Sequence, residues 1–214
     1  VPNGVPDLGR AAPPSPRRSL VAALVGRVDD HKRPYDFLTA LRWARHQGAD
    51  VTGLVLGDGP LLEEVRASVL PEERDLVWFA GFVEDPAEAL LDVDVLLLMS
   101  DTEGGLPLAA MEAASLSRGT VARATVEGVE LLGGGAFVLP PGASPRDFGS
   151  ALVALAQDRA LRTRLGRAAR TAFERGFSAE AAADRLAEVY EAAGRGPRAR
   201  LRRPCPAAAW LAAR

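Results

Sequence analysis

The chain has 214 residues, of which 48% are hydrophobic and 25% charged, and its formal net charge is −2. This balance is typical of a soluble globular protein with a substantial core, and it lacks the basic surplus on which a nucleic-acid-binding protein depends. With one cysteine, Cys205, an intrachain disulfide and a cysteine metal cluster are excluded, and the two histidines, His31 and His46, argue against an imidazole metal site.

The first predicted element is extended. Residues 1–18 contain five prolines and two glycines, a composition that predicts a leading segment or linker. A continuous apolar run at residues 19–26 predicts a strand. A helix follows at 34–47, because proline suits the first helical turn and the apolar residues fall on one face. A second strand is predicted at 51–57 and a second helix at 60–69.

Strands and helices keep alternating through the rest of a domain that we place at residues 19–194. Further strands are predicted at 76–81, 94–100, 119–124 and 136–140. Further helices are predicted from Pro86, at 107–116, from Ser144, at 159–176 and at 178–194. Short apolar strands that alternate with helices predict an α/β fold, a Rossmann-like parallel sheet with helices on both faces. Ligands bind such sheets beyond the carboxyl ends of the strands.

The last stretch of the chain, residues 195–214, is rich in arginine, proline and alanine. It predicts a basic, flexible tail, and a solvated terminus is favoured over contact with acidic lipid or a partner. The longest apolar run, residues 93–99, is too short to span a bilayer, and no secretory signal is visible. We therefore expect a cytoplasmic protein.

Glycine or charge follows four of the predicted strands. The candidate residues at these ends are Gly26, Arg27, Gly57, Asp58, Gly59, Phe82, Val83, and the stretch from Ser100 to Leu106. Arg27 and Lys32 after the first strand suit a diphosphate, although either could instead pair with a neighbouring aspartate. Gly104 and Gly105, just before a helix, would let phosphate reach backbone amides, unless they only form a tight turn.

Six segments, taken in order, resemble one enzyme family. They are VPNGVP at 1–6, VGRVDDHKRPYDFLTAL at 25–41, LVLGDGPL at 54–61, VWFAGFVEDPAEALLDVDVLLLMSDTEGGLPLAAMEAASL at 77–116, FVLPPG at 137–142 and FSAEAAADRLAEVY at 177–190. In this order and spacing they resemble the C-terminal, donor-binding half of a family-4 (group 1) retaining glycosyltransferase of the GT-B fold.

The resemblance implies a domain that binds a nucleotide diphosphate sugar. Arg27 and Lys32 would hold the diphosphate, and the amides from Gly104 to Leu106 would bind it further. Such enzymes typically retain the anomeric configuration. They need no metal or other cofactor, because cationic side chains and a helix N-terminus stabilise the leaving diphosphate.

The remaining site residues follow from the same resemblance. The backbone near Phe82 and Val83 would meet the base, and Glu112 would bind the ribose hydroxyls. Glu103 would face the transferred sugar and, with Arg27 and Lys32, would belong to the catalytic set. In the family, an N-terminal domain binds the acceptor, so this chain resembles the donor half only. The missing domain is expected in cis, in the same polypeptide, or in trans, in a separate chain.

Two departures from the family pattern bear on activity. The family has seven residues between its two glutamates, whereas eight separate Glu103 from Glu112, and one of the neighbouring glycines could absorb the extra residue as a bulge. In the stretch TVARATVEGVELL, an ungapped alignment puts Val126 and Glu127 where the family has two glycines. A one-residue gap instead keeps Gly128 as one member of the pair. Glu127 would bring a negative charge towards the phosphate site.

Three functional hypotheses remain at this point. The first is the donor domain of a retaining glycosyltransferase that is inactive alone, because half of the cleft is absent. The second is a degenerate, non-catalytic module that binds a nucleotide sugar or a partner. The third, a dinucleotide-dependent oxidoreductase, ranks lower because no G-x-G-x-x-G follows the first strand.

Overall fold

Six parallel strands form one sheet in this structure, a computed structural model that describes residues 3–8, 19–84 and 86–195. The strands are β1 (Leu20–Val25), β2 (Val51–Leu56), β3 (Val77–Gly81), β4 (Val95–Leu98), β5 (Gly119–Arg123) and β6 (Ala136–Leu139). Their order is β3-β2-β1-β4-β5-β6. The chain therefore leaves the central β1–β4 pair in both directions, and the carboxyl ends of these two strands border the crevice where ligands bind such sheets.

Seven helices connect and cover the strands within the described residues. They are α1 (Pro34–His46), α2 (Leu62–Ala67), α3 (Pro86–Leu90), α4 (Leu108–Ser115), α5 (Pro145–Gln157), α6 (Arg159–Gly176) and α7 (Ala179–Arg195). Three 3₁₀ turns lie at Asp30–Lys32, Pro71–Glu73 and Val129–Gly135. None of these helices is long and apolar enough to cross a membrane, a finding that applies to the described part of the chain.

Two hydrophobic cores lie on opposite faces of the sheet. One packs α1, α2 and α5 against alternate strand residues, with Phe37 and Phe148 fully buried. The other packs α3, α4 and α6, with Phe173 fully buried. Because both faces of the strands are covered, strands such as β4 are apolar throughout. The predicted parallel α/β fold with helices on both faces is confirmed.

Residues 3–8 run along the end of the domain and are held there. Val5 forms a parallel bridge with Ser178, just before α7, and Arg170 binds both carboxylate oxygens of Asp7 at 2.7 Å. Asn3 is thereby brought to the carboxyl edge of the sheet. The rest of the predicted leading segment, and the predicted basic tail beyond Arg195, lie outside the described residues.

Candidate functional site

An ion pair joins the loops that follow β1 and β4. The Nζ of Lys32 lies 2.5 Å from Oε1 of Glu103, and the two side chains are only 19% and 11% exposed. Asp29 caps the 3₁₀ turn that carries the lysine, accepting from the Lys32 amide at 3.2 Å. A Cβ added at Gly26 would lie 3.3 Å from Cε of Lys32, so the lysine side chain passes across a glycine. The pair therefore sits where the strand order reverses.

Three side chains surround the Glu103 carboxylate. Besides Lys32, the Ser100 hydroxyl donates to Oε1, and Nε2 of His31 lies 3.5 Å from Oε2. Burial of the carboxyl acts to raise its pKa, but the hydrogen bonds from Lys32 and Ser100 and the lysine charge outweigh it, and the pKa of Glu103 is lowered. The carboxylate is thus held in its charged form. His31 was not among the residues picked out from the sequence.

The ion pair predicts a pH dependence of stability. A lowered folded-state pKa contributes stability that is present above the unfolded value of about 4.3 and is lost as the pH falls through the folded value. Wild type should therefore exceed Glu103→Gln in unfolding free energy most near neutral pH. This difference should shrink as the pH falls from about 5 to below 4, as measured by urea unfolding at several pH values.

A control variant at an exposed glutamate shows whether the pH dependence is specific to Glu103. Glu72→Gln, at an exposed position in the Pro71–Glu73 turn, should not reproduce the pH-dependent difference. A gap between wild type and Glu103→Gln that grows towards acid pH would contradict the ion pair.

A first cavity, of about 410 Å³, opens at the ends of β1, β2 and β3. Its lining residues are Val25, Gly26, Arg27, Leu56, Gly57, Asp58, Phe82 and Val83. The Phe82 ring is 78% exposed at its rim. Six of the seven strand-end residues that the sequence singled out from Gly26 to Val83 are thus brought together, the exception being Gly59, which packs against the Val28 backbone.

A second cavity, of about 470 Å³, opens at the ends of β4 and β5. Its lining residues are Asn3, Glu103, Gly104, Gly105, Leu106, Pro107, Leu108, Met111, Gly128 and Leu131. Gly105 has φ +130°, a conformation that favours glycine, and a Cβ added at Gly104 or Gly105 would meet nothing within 4 Å. The loop that begins α4 therefore faces open space, as a phosphate-binding loop requires.

Two further residues singled out from the sequence, Arg27 and Glu112, lie outside the Lys32–Glu103 ion pair. The Arg27 side chain is 71% exposed, and its Nε lies 3.5 Å from Asp29, the alternative that the sequence left open. Glu112 is partly buried on α4, next to Met111 of the second cavity. Neither of the two cavities, as the described residues define them, is lined by Glu112.

A buried arginine that the sequence did not bring into the site holds the loop after β4. Arg123 is 1% exposed. Its guanidinium donates to the carbonyls of Met99 and, at 3.0 Å, Ala143, and it lies over the Phe148 ring. Burial lowers its pKa. Arg123 thus fixes the backbone just before Glu103, and its only sequence signal is a charge at the end of an apolar strand.

The segment after β5 lies against the loop before α4. Oε2 of Glu127 accepts from the Glu103 amide at 2.5 Å. Gly128 has φ +83°, and a Cβ there would lie 2.9 Å from the Leu106 nitrogen. Because Gly128 needs both its backbone conformation and the absence of a side chain, the geometry favours the gapped alignment.

Comparison with known proteins gives a family and a fold. Residues 19–158 match the family described as Glycosyl transferases group 1. A search of curated protein sequences gives no match. Among solved structures, the fold is similar to that of TarM from S. aureus, with a TM-score of 0.74 and 18% identity over 87% of this chain. It is also similar to HepE from Anabaena in complex with UDP, with a TM-score of 0.71 and 18% identity over 82% of this chain.

This chain is much shorter than the first two of these proteins. This chain spans 38% of TarM and 49% of HepE. It is also similar to the C-terminal domain of LpcC, a glycosyl transferase group 1 family protein from Francisella tularensis. There the TM-score is 0.66 and the identity 18%, over 82% of this chain and 99% of that domain. At these identities the structural matches establish the fold alone.

Proposed function

Because the chain belongs to the group 1 glycosyltransferases, we propose that it is the donor-binding half of a retaining glycosyltransferase. The observation that carries this proposal is the Lys32–Glu103 ion pair, which lies at the switch point of the sheet, with Gly26 of the first cavity beneath the lysine and Glu103 lining the second. A diphosphate that bridges the two cavities would pass a half-buried cation and the amides that precede α4.

The two cavities suit the two ends of such a donor. Each has a volume within the range of about 300–1,000 Å³ that small-molecule sites occupy. We place the base in the first cavity, against Phe82 and the Val83 backbone, and the sugar in the second, near Glu103. Glu112 would bind the ribose hydroxyls from α4. HepE has been solved in complex with UDP, so UDP is the first nucleotide to test.

Charge stabilisation would come from the chain itself. As the bond to the sugar breaks, negative charge grows on the departing diphosphate. Lys32, Arg27 and the amides from Gly104 to Leu106 are the groups that would stabilise it. We therefore propose that donor binding needs neither a metal nor another cofactor.

The acceptor site is the other part of the proposal. The chain spans less than half of TarM and of HepE, whereas its match to the LpcC C-terminal domain covers 99% of that domain. We propose that an acceptor-binding domain, in cis or in trans, completes the cleft and that this chain alone does not transfer sugar.

A second candidate is a degenerate module that binds a nucleotide sugar or a partner without catalysis. One observation favours it: the Glu127 carboxylate lies on the Glu103 amide, directly before the amides from Gly104 to Leu106 that are proposed for the diphosphate. If the module has kept only a partner, it differs from the enzyme half in whether a nucleoside diphosphate binds at all.

Calorimetric titration with UDP, GDP, ADP and their glucose conjugates tests the proposal. One of the three nucleoside diphosphates should bind with a micromolar Kd, and this Kd should be the same with and without EDTA. Glu112→Gln should weaken that binding at least about tenfold, because one hydrogen bond to a charged group contributes about 1.5–3 kcal/mol. Glu188→Gln, exposed on α7, is the matched control. Failure of all three nucleotides to bind would favour the degenerate module.

A further inference from the structure

The Glu103 amide already has an anionic partner. Oε2 of Glu127 lies 2.5 Å from this nitrogen, although the glutamate itself is exposed. The amide opens the glycine loop that leads through Gly104 and Gly105 into α4. A carboxylate oxygen on a backbone N–H has the same chemistry as a phosphate oxygen on that N–H, because both are charge-assisted acceptors.

The backbone holds Glu127 in this position. Gly128 follows it in a left-handed conformation and packs on Leu106, so the turn that carries the glutamate is seated against the loop. Val126, on its other side, is 1% exposed and belongs to the core beneath α4. The backbone of Glu127 is thus held on both sides, while its side chain is exposed to solvent.

The charges around the loop before α4 also disfavour the binding of a further anion there. Two carboxylates, those of Glu103 and Glu127, lie at the loop. Lys32 is in contact with the Glu103 carboxylate, and His31 approaches the same carboxylate at 3.5 Å. A diphosphate that reached the Glu103 amide would meet the Glu127 carboxylate at contact distance, where repulsion between like charges is strong.

We propose that Glu127 is a tethered competitor of the donor, a carboxylate that occupies the diphosphate position and must swing out before the donor binds. The proposal rests on the proposed function, since it concerns the regulation of that same site. It makes Glu127 a determinant of donor affinity, because a diphosphate must displace the Glu127 carboxylate from the Glu103 amide.

Titration of wild type, Glu127→Gln and Glu127→Ala with pyrophosphate, UDP and uridine tests this role. Removing the competing charge should tighten binding of pyrophosphate and UDP at least tenfold in Glu127→Ala and less in Glu127→Gln, whose amide oxygen can still accept from the Glu103 N–H. Uridine, which lacks phosphate, should bind all three proteins equally. The Glu103 amide resonance of ¹⁵N-labelled protein should shift on adding pyrophosphate, at lower concentration in Glu127→Ala.

A control variant tests whether any effect is specific to Glu127, and the pattern of binding separates the competitor role from the proposed function. Glu130→Ala removes an exposed carboxylate from the same segment and should leave all three affinities unchanged. Unchanged or weaker binding of UDP and pyrophosphate by Glu127→Ala would overturn the competitor role, while leaving donor binding by wild type intact. If pyrophosphate binds more tightly to Glu127→Ala but no nucleotide binds either protein, the competitor role holds and the proposed function fails.

Discussion

Replacing Gly57 with alanine should lower the free energy of unfolding by roughly 2–6 kcal/mol, the sum of backbone strain and overpacking. Gly57 has φ +141°, and a Cβ there would overlap the carbonyl oxygen of Gly26. The backbones of both glycines are held in place. The Gly26 amide donates to the Leu56 carbonyl at 2.9 Å, and the Gly57 amide donates to the Gly81 carbonyl at 2.8 Å. Native proteins have about 5–15 kcal/mol of stability in all, so urea unfolding should detect a large loss.

The matched variant separates strain from collision. Gly48 has φ +80°, but a Cβ added there would meet nothing within 4 Å. Gly48→Ala should therefore cost only the left-handed penalty of about 1–2 kcal/mol. Equal losses in the two variants would show that the contact between Gly57 and Gly26 does not constrain the fold. If the collision matters, Gly57→Ala should also lose nucleotide binding, since Gly57 and Gly26 both line the first cavity.

The fold followed from the sequence because each strand is a short apolar run with a helix after it. Where the boundaries differ, a local hydrogen bond decides. The helix predicted to begin at Pro60 begins at Leu62, because Gly59 must first pack on Val28, which binds the Leu61 amide through its carbonyl. The 3₁₀ segment Val129–Gly135 was not predicted, since its three consecutive glycines carry no periodic signal.

The site was predicted less completely than the fold. Glycines and charges at strand ends are visible in the sequence, because parallel strands bring their carboxyl ends to one edge. Contacts between loops are not visible. Nothing local indicates that His31 approaches Glu103, or that Arg123 donates to the Met99 carbonyl. Those contacts depend on how three separate loops pack.

The cation pair Arg27 and Lys32 shows the same limit in more detail. From spacing alone the two residues are equivalent, five positions apart after β1. The structure separates them: the lysine side chain is 19% exposed and paired with Glu103, whereas the arginine is 71% exposed beside Asp29. A charge interaction in a partly buried site is screened less than one at the surface. The two residues should therefore contribute unequally to donor binding.

Lys32→Met should weaken UDP binding about 10- to 100-fold, because one charge-assisted hydrogen bond contributes about 1.5–3 kcal/mol and the Glu103 carboxylate would then face the diphosphate without its cation. Arg27→Met should weaken it no more than about fivefold, as expected for an exposed charge. Calorimetric titration of both variants, with Lys32→Arg as the charge-conserving control, gives the comparison. A larger loss for Arg27→Met would move the diphosphate away from the switch point and towards the open side of the first cavity.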